Sequence, residues 1–102
     1  MAVHKRPQFL LDLADEMTRI NDFAGPDVAG KWYDGLLETI EELKRQPLLG
    51  RERKDLKPKT VRSWRVKDYP RWLVFYQVED DAIVFLRVRY GAMDLPELEF
   101  ES

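Results

Sequence analysis

The stretch from Val61 to Tyr90 most restricts what this chain can fold into. It reads as three successive strands, Val61–Val66, Arg71–Val78 and Ala82–Tyr90, each dividing its side chains between two faces. The links are Lys67-Asp68-Tyr69-Pro70 and Glu79-Asp80-Asp81, and connections this short join only antiparallel neighbours. A meander follows. In the middle strand Trp72, Val74, Tyr76 and Val78 share one face, while Leu73 and Phe75 share the other. Apolar side chains on both faces predict a central, doubly covered strand. The third strand separates Val84, Leu86, Val88 and Tyr90 from Ile83, Phe85, Arg87 and Arg89. Its second face is thus apolar at the start and basic at the end. Asp80–Asp81 reads as a tight turn rather than a metal pair.

Upstream the period is helical. Asp12 is placed to cap a first helix, with Asp15 adding favourable charge to its opening turn. Leu13, Met17, Ile20 and Ala24 form its apolar stripe, and Gly25–Pro26 ends it. A second helix runs from about Asp27 to Gln46, with Ala29, Trp32, Tyr33, Leu36, Leu37, Ile40 and Leu43 on a wide apolar face. Trp32 and Tyr33 on that stripe are expected in the core. Gly30 and Gly35 each cost a helix up to about 1 kcal/mol relative to Ala, and predict close approach of the other helix. Pro47 and Gly50 stop the second helix. The short link predicts a helical hairpin. A short strand at Gln8–Leu11 is expected before it, and Arg51–Lys59 reads as a charged loop. The predicted order is β-α-α-β-β-β. This is an α+β fold, a helical hairpin packed on a small, mainly antiparallel sheet, in one domain over residues 1–102.

Composition excludes several chemistries. The 102 residues contain no cysteine, which removes disulfides, thiolate nucleophiles, Cys-ligated zinc and iron–sulfur clusters. The single histidine, His4, reads as a solvated terminal residue, so Ser–His catalysis and multi-histidine metal sites are not expected. No metal or cofactor is expected at all. Apolar runs fall far short of the roughly 20 residues a membrane span needs. No apolar signal segment follows Met1–Arg6, and a cytoplasmic domain without a membrane partner is expected.

The net charge of −2 is unevenly spread: residues 1–50 carry six Lys/Arg and nine Asp/Glu, and residues 51–90 carry eleven and six. The tail 91–102 has four acids and no base; it shows no clear structure and either pairs with Arg87 and Arg89 or hangs free. The basic middle is either a local anion-binding surface or a solvated strand face with a basic loop. Arg62, Arg87 and Arg89 are expected on one sheet face, suited to a phosphate. Trp64 and Trp72, flanked by Arg62, Arg65 and Arg71, either form a half-exposed aromatic–basic binding surface or lie under the hairpin. Arg87 and Arg89, among apolar neighbours, need a partner, either an internal carboxylate or an acidic or phosphate ligand from outside the chain.

Four sequence words stand in order along the chain. They are I-x-E-L-x-x-x-P-x-x-G (Ile40 to Gly50), V-R-S-W-x-V (Val61 to Val66), Y-P-x-x-L-V-F-Y (Tyr69 to Tyr76) and I-V-F-L-R-V-R-Y-G-A-M-D-L (Ile83 to Leu95). Together they resemble the RelE/ParE superfamily of toxins from bacterial type II toxin–antitoxin pairs, and the ParE branch most. In that branch the last word typically reads R-V-x-H-G-A-R-D-L; here Tyr90 replaces the His and Met93 the second Arg. The resemblance implies a non-catalytic toxin that acts on DNA gyrase and is neutralised by a ParD-like antitoxin. It implies no direct sequence-specific nucleic-acid binding by the toxin alone, and it favours a partner from outside the chain for Arg87 and Arg89.

The antitoxin is expected to lay an amphipathic helix beside the hairpin, with strand addition at a sheet edge as a second mode. The residues assigned to partner binding are Arg62, Trp64, Arg71, Trp72, Arg87 and Arg89. The alternative is a RelE-like, ribosome-dependent messenger-RNA endoribonuclease. Such enzymes draw on sheet Lys and Arg and on a C-terminal Arg and Tyr; the candidates here are Lys57, Lys59, Arg62, Arg65, Lys67, Arg71, Arg87, Arg89 and Tyr90. Against it, no basic residue follows Arg89, and an acidic tail repels RNA.

Overall fold

The computed structural model describes residues 1–91. The elements are β1 (Ala2–Lys5), α1 (Pro7–Ala24), α2 (Pro26–Arg45), β2 (Arg51–Glu52), β3 (Arg62–Val66), β4 (Tyr69–Glu79) and β5 (Ala82–Tyr90). They form one sheet in the order β1-β5-β4-β3-β2, so β4 is central. β1 runs parallel to β5 and every other pair is antiparallel. This is the expected α+β architecture, with the two-residue β2 added at one edge.

The first strand lies elsewhere than predicted. Gln8–Leu11 forms the opening of α1, and the strand is Ala2–Lys5. Pro7 explains the start: its fixed φ suits a first helical position, where no N–H partner is needed. Asp12 is therefore not a cap; it lies within α1 and is buried. His4 belongs to β1 and is exposed there. The helices are joined through Gly25 alone, at φ +92°, a conformation open to glycine without strain. The β3–β4 link is only Lys67-Asp68, with Asp68 at φ +67°. The β4–β5 link is Asp80-Asp81, the tight turn expected.

β4 is covered on both sides. Phe9, Trp32, Leu36 and Leu43 of the helices pack on Val74, Tyr76 and Phe85. On the opposite face Leu56 and Val61 lie over Phe75, Val84 and Leu86. The charged loop is thus the second cover, and Arg53 pins it. Arg53 is buried; it donates from Nε and Nη2 to Asp55 at 3.0 and 2.7 Å and from Nη1 to Ser63 Oγ at 3.2 Å. Those bonds hold the Asp55 carboxyl down at about 2.

Two helix expectations need correction. Gly30 has open space around it, whereas a Cβ on Gly35 would stand 2.6 Å from the Lys67 carbonyl. Gly35 therefore admits the β3–β4 turn, not α1. Thr39 beside it completes the dock: its hydroxyl donates to the Gly35 carbonyl at 2.7 Å and accepts the Lys67 N–H at 2.8 Å. Trp32 is core as expected, but Tyr33 and Leu37 are exposed.

A single irregularity in β5 changes its faces. Phe75 pairs with Arg87 and Tyr76 with Phe85, which leaves Leu86 unmatched. Such a bulge shifts the alternation by one residue. Val88 therefore joins Ile83 and Phe85 on the helical side, and Tyr90 packs there against Trp72. Arg89 stands in register with Leu73, on the loop side.

Candidate partner-binding site

The bulge separates the arginines that simple alternation placed together. Arg62 lies in register with Tyr76 on the helical side, where it donates to the Gly50 carbonyl at 2.7 Å and to Glu52 at 3.3 Å. Arg89 is on the opposite face. Arg87 is buried at the β5 edge and gripped by Asp12. Its Nε reaches Oδ2 at 2.6 Å and its Nη2 reaches Oδ1 at 3.1 Å, while the Val88 N–H donates to Oδ2 at 3.2 Å. The reason is local: β1 pairs with β5 only as far as Phe85, and α1, starting at once, brings Asp12 to the edge left open. An internal carboxylate thus holds Arg87, which corrects the expected external partner. The acidic tail, offered as a partner for Arg87 and Arg89, falls outside the described residues.

Trp64 and Trp72 both lie on the helical side. The Trp64 indole N–H donates to Glu42 Oε1 at 3.0 Å, and Arg65 donates to the same oxygen at 3.1 Å while stacking over the Trp64 ring. The indole bond, aided by Arg65, holds the Glu42 carboxyl below its ordinary range, against partial burial that pushes it up. A depressed folded value means stability present above the ordinary carboxylate pKa and lost as pH falls through the folded one. Glu42→Gln is expected to cost about 1 kcal/mol at neutral pH. It should also flatten the loss of stability from about pH 5 downward, read from urea midpoints across pH. An unchanged acid limb would exclude this role. Glu42 lines a groove of about 400 Å³ with Glu38, Arg65 and Lys67. Its charges are largely matched internally, with Lys67 on Glu38 at 3.1 Å and Arg65 on Glu42.

Trp72 sits in a different kind of groove. The end of α1, the start of α2, the beginning of β4 and the end of β5 enclose about 470 Å³ lined by Phe23, Val28, Trp32, Tyr69, Trp72 and Tyr90, among others. The Trp72 ring meets Trp32, Tyr69 and Tyr90 edge-on at centroid distances of 6.2, 6.4 and 5.0 Å, the geometry ring quadrupoles favour. Phe23 is 92% exposed at the rim. The indole N–H groups of Trp32 and Trp72 are buried without an acceptor among the described residues. An apolar groove ringed by aromatic side chains suits a peptide carrying apolar side chains. Sequence analysis missed Phe23, Val28 and Tyr69. The available signal was a Phe off the α1 stripe just before Gly25–Pro26. Among the described residues no cluster of His, Asp or Glu could hold a metal ion, and no helix is long and apolar enough to cross a membrane.

Comparison with known proteins converges on one group. The profile of the family described as the ParE toxin of type II toxin-antitoxin system, parDE, matches residues 3–95. The chain belongs to the ParE toxin family. Among solved structures, this ParE-family chain is similar to one titled "Chromosomal ParDE TA system from P. aeruginosa". The match has a TM-score of 0.74 and 19% identity, covering 88% of this chain and 95% of that one. That likeness speaks for the fold. Curated protein sequences give no significant match. The P-x-x-G and V-F-Y words acquire a shared purpose in this ParE-type chain. The Gly50 N–H donates to the Tyr76 hydroxyl at 2.8 Å, and that hydroxyl donates to the Pro47 carbonyl at 2.7 Å. The turn after α2 is thereby fastened to the central strand.

Proposed function

We propose that this ParE-family chain poisons DNA gyrase by binding it, catalyses no reaction itself, and is neutralised in the cytoplasm by a ParD-like antitoxin. Family membership supports the target. The arginine geometry supports the absence of chemistry. Cleaving RNA as RelE-like enzymes do needs a base, an acid and cations that converge on one phosphate. Arg87 is instead committed to Asp12 and Arg62 to the Gly50 carbonyl, at separate places on the sheet. The dispersal of Arg62, Arg87 and Arg89, two of them committed inside the fold, is the observation that carries the reading. The test is antitoxin-free protein incubated with gyrase, plasmid DNA and ATP, then detergent and protease. Linear DNA is expected to accumulate. Normal supercoiling together with cleavage of ribosome-bound messenger RNA would transfer the chain to the endoribonuclease reading.

Of the six residues assigned to partner binding, Trp72 lies in the apolar groove and is assigned to the antitoxin. Arg62, Trp64 and Arg87 serve the fold. An amphipathic antitoxin helix would cover Trp72 with Phe23 as the rim contact. Phe23→Asp is expected to raise the antitoxin dissociation constant roughly 10- to 100-fold, since a hot-spot aromatic is lost. It should leave thermal stability unchanged, because Phe23 is exposed. Unaltered affinity in a titration calorimeter would remove the groove from the interface.

A further inference from the structure

The charge of the molecule divides between its layers. Helical residues 7–45 carry nine Asp/Glu and four Lys/Arg, a net of −5, while residues 51–90 carry eleven Lys/Arg and six Asp/Glu, a net of +5. On the sheet face away from the helices the covering loop exposes Arg51, Lys54, Lys57 and Lys59. Arg51 belongs to this face through its register with Ser63, which in turn pairs with Phe75. Arg89 stands beside Leu73 there, across the ladder. The two acids of the loop are already engaged, Glu52 by Arg62 and Asp55 by Arg53. None of the other five cations of this face makes an ion pair among the described residues; Arg71 instead donates to the Tyr90 hydroxyl at 3.4 Å, beside the Trp72 groove.

We propose that this face rests on the backbone phosphates of duplex DNA. The inference builds on the gyrase reading, because gyrase acts on duplex DNA. Cations on a loop and at strand ends contact phosphates and carry no base readout. The acidic helical layer would be repelled by the same polyanion, so the two layers fix one orientation. Single-stranded RNA is the poorer fit. Its binders stack bases on exposed aromatic rings, whereas the aromatic of this face, Phe75, is fully buried, and Phe23 and Tyr33 are exposed on the helical layer.

The test is fluorescence anisotropy with a labelled random-sequence duplex of about 20 base pairs and the antitoxin-free full chain at increasing salt. Binding is expected at about 10–100 µM near 0.1 M salt, with log affinity falling by about 0.9 per phosphate contact against log salt. Lys54→Glu, Lys57→Glu and Lys59→Glu together should weaken binding at least about tenfold and make the salt slope shallower by about 2–3. The matching Gln triple should do the same more mildly, and circular dichroism should show both variants folded. Lys31→Glu, exposed on α2, should change nothing. Equal binding by the Glu triple, or tighter binding to an RNA strand of equal length or to anionic phospholipid vesicles, would overturn the DNA assignment. The gyrase assay separates the two proposals. Linear DNA formed equally by wild type and Glu triple would leave the gyrase reading standing and remove the DNA face. Duplex binding that the Glu triple loses, with no linear DNA from wild type, would do the reverse.

Discussion

Replacing Asp12 with Ala is expected to cost about 3–5 kcal/mol of stability, the loss typical when one partner leaves a buried ion pair. The carboxylate meets the Arg87 guanidinium through two nitrogens and also takes the Val88 N–H and the Gln8 side-chain amide, so one substitution strips at least four bonds from a region hidden from water. Arg87 and Asp12 are 8% and 5% exposed, and solvent cannot replace what is lost. For a domain of this size each kcal/mol moves the melting midpoint by about 4–8 °C, so a fall of at least about 12 °C should follow. Asp15→Ala, exposed on the same helix, should stay within about 0.5 kcal/mol. Asp12→Asn, which keeps the shape and one acceptor oxygen, should fall between. An Asp12→Ala protein melting within a few degrees of wild type would show that the pair contributes little. A double-mutant cycle with Arg87→Ala would apportion the coupling.

Gly50→Ala should cost about 2–4 kcal/mol, combining overpacking with a displaced hydrogen bond. A Cβ on Gly50 would fall on the Tyr76 hydroxyl, and Tyr76 is wholly buried, so the ring has nowhere to go. Tyr76→Phe tests the bond without the clash. It leaves the Gly50 N–H and the Pro47 carbonyl without the hydroxyl they share, for about 1–3 kcal/mol. Burial also raises the Tyr76 phenol above its ordinary value. With the folded value raised, this contribution is intact below the ordinary value near 10 and lost as pH climbs toward the folded one. Wild type should therefore lose stability in alkali more steeply than Tyr76→Phe, read from urea midpoints above about pH 9. Parallel alkaline curves for the two proteins would refute the account.

Much of the fold could be read directly. The meander, the central strand and the hairpin rest on period and link length, which are local properties of the chain. β1 escaped because it is four residues long, mostly exposed, and owes its structure to distant Ala82–Phe85. The exchange of faces in β5 escaped for a similar reason: the bulge at Leu86 exists only against β4, and no motif in β5 announces it. That one extra residue dispersed the arginine cluster that alternation had assembled. Trp72 was legible as a candidate, while the groove around it needed α1 to end and α2 to begin beside the strand termini.

The sequence by itself determined that the middle strand is apolar on both faces, where the two helices end, and that residues 51–90 carry net positive charge. Spacing, short links and residue chemistry fix these without reference to distant contacts. Tertiary structure alone decided which charges are spent inside the fold and which remain at the surface. Asp12 and Arg87 are 75 positions apart, and only the parallel pairing of β1 with β5 brings a helix carboxylate to that open strand edge. A buried charge demands a partner, but the location of that partner depends on the path of the whole chain.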